Sequence, residues 1–302
     1  MIPKAKELRL IAIYFYVCER YENELKYMVQ RYSNNSTPEF TDPEIMTIYL
    51  YVMQQEQRFR LSQIHAFAQD YLRSWFPMLP SYQAFVYRIN KLSEAFSALI
   101  TTLLLQLQPS DCLTECSVLD SMPVITCFGK RKAKVARDIT DKGFCSTKAL
   151  YYYGLKLHTL AFVRPKQLPF PEQFVITPAS ENDLNVFKQD WSHIEQRTFY
   201  GDKIYNDAPL LKELKAQKNS VILTPVKGVK NHSEQVKQWN KAAADLFSTA
   251  VSTIRQPIES LFNWLIEKTD IQRASKVRST KGLLIHIFGR IATAFLYLIF
   301  KP

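Results

Sequence analysis

The chain has 302 residues, 47% hydrophobic and 22% charged, the balance of a folded globular protein, which excludes a disordered or low-complexity chain. Its 7 glycines all lie from Gly129 onward and no two are spaced G-x-G, which removes the glycine-rich phosphate loops of nucleotide-binding folds. The net charge of +11 is uneven: residues 1 to 110 carry 11 Lys+Arg against 10 Asp+Glu and the remainder 28 against 18, so the second part is expected to attract a polyanion.

The opening MIPKAKELRLIAIYFYV reads as a first helix, because its apolar run is broken early and no small-residue cleavage site follows. Thr41-Asp42-Pro43-Glu44 is a capping box ahead of Ile45, Met46, Ile48, Tyr49 and Val52, whose spacing lines one face of a helix. Further helices are expected from Ser62 through Tyr71 and from Ser81 through Leu105. The second of these presents Gln83, Tyr87, Arg88 and Lys91 as a mixed polar face, either solvated surface or a DNA-reading helix with Arg88 in contact. Pro109 and Ser110 end the helical pattern. The expected division is therefore a helical DNA-recognition domain over 1–110 and an α/β domain over 111–302 that ends in long helices.

Beyond that boundary, Ser117 to Ile125, Tyr151 to Val163, Phe174 to Thr177, Thr198 to Tyr205 and Val221 to Val226 are β-branched or aromatic runs bounded by Gly, Pro and Asn. Helical patterns intervene at Asn182 to Trp191, Ala208 to Lys218 and His232 to about Ile254. The alternation predicts a mixed sheet with helices on both faces. Leu283 to Phe300 is apolar, but His286, Gly289 and Arg290 interrupt it, so a buried helix is expected rather than a membrane span. Five cysteines without C-x-x-C, and with no His at finger spacing, argue for reduced thiols in a cytoplasmic protein and against structural zinc.

Three acids stand out. Asp120 lies inside the apolar run SVLDSMPVI, where a carboxylate is costly unless paired or bound to a cation. Asp202 closes the next conspicuous strand beside Gly201. Glu259 opens an amphipathic helix with Ile258, Leu261, Phe262 and Leu265. Oxygen ligands without His or Cys are the set that Mg²⁺ prefers, and two such ions about 4 Å apart activate water and stabilise the leaving oxygen in phosphodiester cleavage. Taken singly, each acid reads equally as a cap or an ion pair. Arg255 lies four residues before Glu259, placed for an i,i+4 pair or a DNA phosphate, and Pro257 between them begins or kinks a helix. Lys130, Arg131, Lys132, Lys134 and Arg137 form a basic run suited to gripping a DNA backbone. Lys156 and His158 alternate on one strand and face one side, while Asp183 and Asp207 read as helix caps.

The ordered set VLDSMPV, GFCSTKALYYYGLKLH, ITPASENDL, YGDKIYND and RQPIESLFNWLIEK resembles the insertion-sequence transposases of the DDE type, over roughly residues 117 to 268. The resemblance implies an RNase H-like catalytic domain in which Asp120, Asp202 and Glu259 are the catalytic, metal-binding acids, with Arg255 at the Arg of an R-x-x-x-E signature. Ile266 stands where relatives carry a Lys, which leaves Lys268 as the nearest basic residue for a DNA contact. It further implies two Mg²⁺ ions, replaceable by Mn²⁺, and double-stranded DNA as partner, both terminal inverted repeats and target. A homodimer on that DNA and no membrane association are also expected. The expected activity is cleavage at transposon ends followed by joining of the 3′-hydroxyl to target DNA. The alternatives are a metal-dependent nuclease without strand transfer and an inactive DNA-binding relative.

Overall fold

The computed structural model describes residues 2–30, 38–130, 133–145, 149–226 and 234–300, with the backbone alone for 234–244. Two compact units emerge. Met1–Leu107, Lys132–Asp138 and Leu265–Pro302 form a helical unit, and Gln108–Arg131 with Ile139–Trp264 form a sheet unit. Residues 265–302, expected to close the α/β domain, cluster instead with the first hundred.

In the helical unit, α1 (Lys4–Asn23) packs on α2 (Asp42–Glu56). The capping box forms as its sequence predicts: the Thr41 hydroxyl accepts from the Glu44 amide at 3.4 Å, and Glu44 Oε2 accepts from the Thr41 amide at 2.6 Å. Rather than burying one stripe, α2 is buried nearly all round, from Asp42 through Gln54, as befits a helix enclosed by others. After α3 (Leu61–Tyr71), the single helix expected from Ser81 is two: α4 (Tyr82–Ile89) and α5 (Ser93–Leu107). The turn between them lets Ile89, Leu92 and Phe96 all reach the core. The last helix, α10 (Thr280–Ile299), lies against α5 and α2. It is long and apolar enough to cross a membrane, but 72% of its apolar window is buried within the fold. At Gly289 a Cβ would stand 2.6 Å from the Tyr49 ring, so glycine is what permits α10 to approach α2 this closely. Gln54 Nε2 donates to the Leu296 and Phe300 carbonyls at 3.0 and 2.7 Å, and Tyr297 returns a bond to Gln54 O at 2.7 Å.

The sheet unit is built on β1 (Leu113–Phe128), β2 (Asp141–Cys145), β3 (Leu150–Val163), β4 (Phe170–Pro178), β5 (Thr198–Tyr200) and β6 (Val221–Leu223). Their order is β2-β3-β1-β5-β6, with β4 also paired to β3. β1–β3, β2–β3 and β3–β4 are antiparallel, whereas β1–β5 and β5–β6 are parallel. β2, with a glycine at its centre and a charged start, carries no strand signal in the sequence and is revealed by pairing alone. Thr198 to Tyr205, read as one strand, splits into β5 and a 3₁₀ turn at Lys203–Tyr205. Between strands lie α6 (Asp183–Val186), a π turn at Phe187–Trp191 and α7 (Ala208–Lys218). Leu119, Leu160 and Phe199 of the sheet pack with Phe187, Trp191, Leu210 and Leu214 of this layer. Then come α8 (Glu234–Arg255), which touches β1 and β5, and α9 (Pro257–Thr269), within which the division between units falls. A mixed sheet flanked by helices, as the alternating pattern predicts, with two long antiparallel strands leading into a short parallel set, is the RNase H-like architecture that the resemblance implies.

Candidate active site

The parallel pairing of β1 with β5 sets the site. Val118 is opposite Tyr200, and two residues further along each chain stand Asp120 and Asp202. Neighbouring strands lie about 4.8 Å apart, so equal spacing from a shared pair sets the middle of β1 at Asp120 beside the C-terminal end of β5 at Asp202, close enough for Asp202 to act on the Asp120 charge. Asp202 stands just beyond β5, where its side chain accepts from the Lys203 amide at 2.6 Å and caps the 3₁₀ turn. Gly201 makes that turn possible: a Cβ there would meet the Tyr205 ring at 2.5 Å. The Tyr205 hydroxyl is buried with no hydrogen-bond partner among the described residues, and burial first, then Asp183, Asp120 and Asp202, hold its pKa well above the usual 10.0.

Arg255, the last residue of α8, joins the two remaining parts of the site. Its Nη1 donates to Asp120 Oδ2 at 2.9 Å and its Nη2 to Glu259 Oε1 at 3.2 Å. The helix breaks at Gln256, and Pro257 opens α9, yet the i,i+4 contact survives the break. Exposure differs along this chain of charges: Arg255 is 18%, Asp120 25% and Glu259 56% exposed in their side chains. Burial pushes the Asp120 carboxyl up to about 6, the Ser121 amide and Arg255 pull it down, and Asp183 and Asp202 push it further up. The site is therefore short of positive charge.

Behind it stands a cluster to which the sequence reading assigned no site role. Asn182 caps α6, which frees the Asp183 carboxylate expected to cap it. Asp183 Oδ1 instead accepts from Ser121 Oγ at 3.1 Å and Lys156 Nζ at 3.2 Å, and lies 3.3 Å from His158 Nδ1. His158 Nε2 bonds Thr177 Oγ1 at 2.8 Å, and burial drives its pKa down to about 4, so it is a neutral, fully buried imidazole. Ser121 is opposite His158 in the β1–β3 ladder. Because successive strand residues point to opposite faces, this cluster occupies the α6–α7 face of the strand whose other face carries Asp120. The legible signal was the Lys156–His158 alternation together with a second polar residue, Asn182, ahead of Asp183.

Other sequence candidates fall elsewhere. Lys130 is exposed in the turn after β1, whereas Arg131 and Lys132 lie outside the described residues. Lys134 and Arg137 are exposed and belong to Lys132–Asp138, a segment of the helical unit. Arg88 does not face solvent as a DNA-reading residue should. It turns inward onto the buried Asp42, donating from Nε to Oδ1 at 2.6 Å and from Nη2 to Oδ2, while Tyr21 donates to the same carboxylate at 2.8 Å. Lys268 packs over the Tyr297 ring, 5.7 Å from its centroid, and bonds Glu267. Asp207 caps α7 through the Leu210 amide at 2.9 Å, as expected.

Among the described residues, no three His, Cys, Asp or Glu side chains stand close enough to hold a metal ion as arranged. Arg255 stands between Asp120 and Glu259. The donor set nevertheless suits a divalent cation: every donor is a carboxylate oxygen, and the raised Asp120 pKa marks a deficit that added positive charge would relieve. A family model described as a transposase DDE domain matches residues 112–296. No curated protein and no solved structure matches the chain.

Proposed function

The chain belongs to the DDE transposase family, and from that premise we propose that it cuts DNA at transposon ends and joins the freed 3′-hydroxyl to target DNA. The reading rests above all on the β1–β5 register, which sets Asp120 in the middle of β1 beside Asp202 at the end of β5, while Arg255 ties Asp120 to Glu259. In this proposal Asp120, Asp202 and Glu259 hold divalent ions, Mg²⁺ by preference, whose chemistry is to lower the pKa of a bound hydroxyl and to stabilise a leaving oxygen.

The chain's own groups do the rest. Asp120 is held by the Ser121 amide at 2.8 Å, and Ser121 is anchored from behind through Asp183 to Lys156, so the carboxylate is positioned by a strand fixed on both faces. The Gly201–Tyr205 contact fixes the turn that presents Asp202. Arg255 bridges Asp120 and Glu259, one positive charge shared between two carboxylates. Its planar fork also has the bidentate geometry that a DNA phosphate matches.

The test is a strand-cleavage and joining assay with Mg²⁺ or Mn²⁺ on duplexes carrying the sequences that flank the gene. Asp120→Asn, Asp202→Asn and Glu259→Gln should each abolish cleavage while leaving DNA binding intact. Cleavage without joining of a pre-cut end would make the protein a nuclease. DNA binding with no metal response would make it an inactive relative. Near-parental cleavage by any one variant removes that residue from the site.

A further inference from the structure

The helical unit holds most of the molecule's excess charge, which the linear sequence conceals. Its three segments carry 11, 3 and 7 Lys+Arg against 10, 1 and 2 Asp+Glu, a surplus of eight out of +11. The last segment brings its basic residues to the opening of α3, where a cleft of about 740 Å³ lies wholly within this unit. Arg60, Arg273, Lys276 and Arg278 are exposed at the cleft, and Asp270, the one acidic residue among its described lining, is bonded to Arg273 at 2.8 Å. Arg60 and Lys276 make no ion pair among the described residues.

Two further features show what the cleft lacks. Arg290, 5% exposed, also lines it. That guanidinium donates to the Thr269 and Phe59 carbonyls and stands over the Phe59 ring, and its Nε has no partner among the described residues. No carboxylate among the described residues bonds it: Asp270 acts on it only through space and is itself bonded to Arg273, so the buried charge is held by carbonyls and an aromatic face. At the cleft's edge α3 begins without a side-chain cap: Arg60 is the N-cap residue and offers no acceptor, while Ser62 and Gln63 of the first turn line the opening. The first N–H groups of a helix need acceptors, and an uncapped start carries positive potential. Cations without counter-ions, a buried arginine and an uncapped helix start all call for the same partner, an anion.

We propose that this cleft receives backbone phosphate of duplex DNA, gripped by Arg60, Lys276 and Arg278 and by the opening turn of α3. The proposal rests on the transposase reading, which makes DNA the anion at hand. It assigns part of the DNA grip to residues that adjoin only because 265–302 fold back onto the helical unit. Each cation that meets the backbone neutralises one phosphate and releases its counterions.

The experiment compares two charge-matched double variants of the full chain, Arg60→Gln with Lys276→Gln in the cleft, and Lys4→Gln with Arg73→Gln at exposed positions away from it. Affinity for a duplex carrying the flanking sequence is measured across a salt series without divalent metal, and thermal melts verify folding. The cleft variant should flatten the slope of log K against log salt by about 0.9 for each phosphate no longer neutralised, roughly 2 in all. It should also weaken binding at least tenfold at low salt, with little change in the control. Equal weakening in both variants would reduce the effect to net charge, and an unchanged slope in the cleft variant would mean that the cleft does not meet DNA; either overturns the proposal. In a second arm, inorganic phosphate is added at constant ionic strength. If it stabilises the parent against melting as strongly as the duplex does, the cleft takes free phosphate and the proposal fails. A parent that binds no duplex overturns the transposase reading itself. A parent that cleaves DNA while the cleft variant keeps its salt slope overturns the cleft alone.

Discussion

Asp120 carries the sharpest consequence at the scale of single residues. Its carboxyl titrates near 6 in the fold against an ordinary 3.8, so between those values the folded state binds more protons than the unfolded one. Stability must then fall as pH rises through that window, and the protein without metal carries the whole penalty at neutral pH. Asp120→Asn removes it. Near pH 7 the variant should be more stable than the parent by about 3 kcal/mol, with the gap closing below about pH 4. Melts of both proteins across pH check this, and a variant less stable at neutral pH would mean that the Arg255 pair outweighs burial. Arg255 itself joins the exposed Glu259 to the mostly buried Asp120, a stronger tie than the surface i,i+4 pair its spacing suggests. Arg255→Ala should therefore lower the melting temperature in the absence of metal. It should also tighten Mn²⁺ binding several-fold, because a competing cation has gone. Calorimetric titration decides the second point, and weaker binding of Mn²⁺ would show that Arg255 supports the metal site rather than competing with it.

Single elements show how tertiary contact redirects a surface-looking residue. Tyr87 of α4 and Lys91 in the turn after it remain exposed, but Arg88 reaches inward to a carboxylate only 3% exposed at the start of α2. Removing one partner of a buried pair leaves the other charge unsatisfied. Arg88→Met should thus cost roughly 3 kcal/mol in a chemical denaturation series while leaving DNA affinity at the parent level. A variant that folds normally but binds DNA poorly would restore Arg88 to a reading face. The sheet strands follow the same logic: β5 and β6, of three residues each, persist because the β1 register and the Phe187–Trp191 layer hold them.

For the whole molecule, the decisive fact is that α10 belongs to the helical core. Its faces cover α2 and α5, and its polar residues bond back to them or to nearby carbonyls. A fragment of residues 1–107 should consequently lack a cooperative thermal transition, and co-expression with 265–302 should restore one, as followed by helical circular dichroism. Cooperative folding of 1–107 alone would return the last helices to the α/β domain. The same association moves the basic surplus, so the helical unit, near neutral in its first 107 residues, becomes the more positive of the two.

Local chemistry was legible without coordinates at several places where neighbours in sequence determine the outcome, though the α6 cap falls on Asn182 and not on Asp183. The Thr41–Glu44 box, the Asp207 cap, the ends of α7 and the change from helical to strand patterning near Pro109 all depend on contacts a few residues long. The order of the fragments around Asp120, Asp202 and Glu259 likewise carried the family. What only the tertiary structure decided are pairings between residues far apart in the chain. These are the burial of Arg88 on Asp42, the bond from Arg255 to Asp120, the Asp183 cluster behind Ser121 and the return of α10 to the first hundred residues. The physical reason is common to all four: a charge reads as solvated surface until a distant segment removes it from water, and burial then makes its partner obligatory.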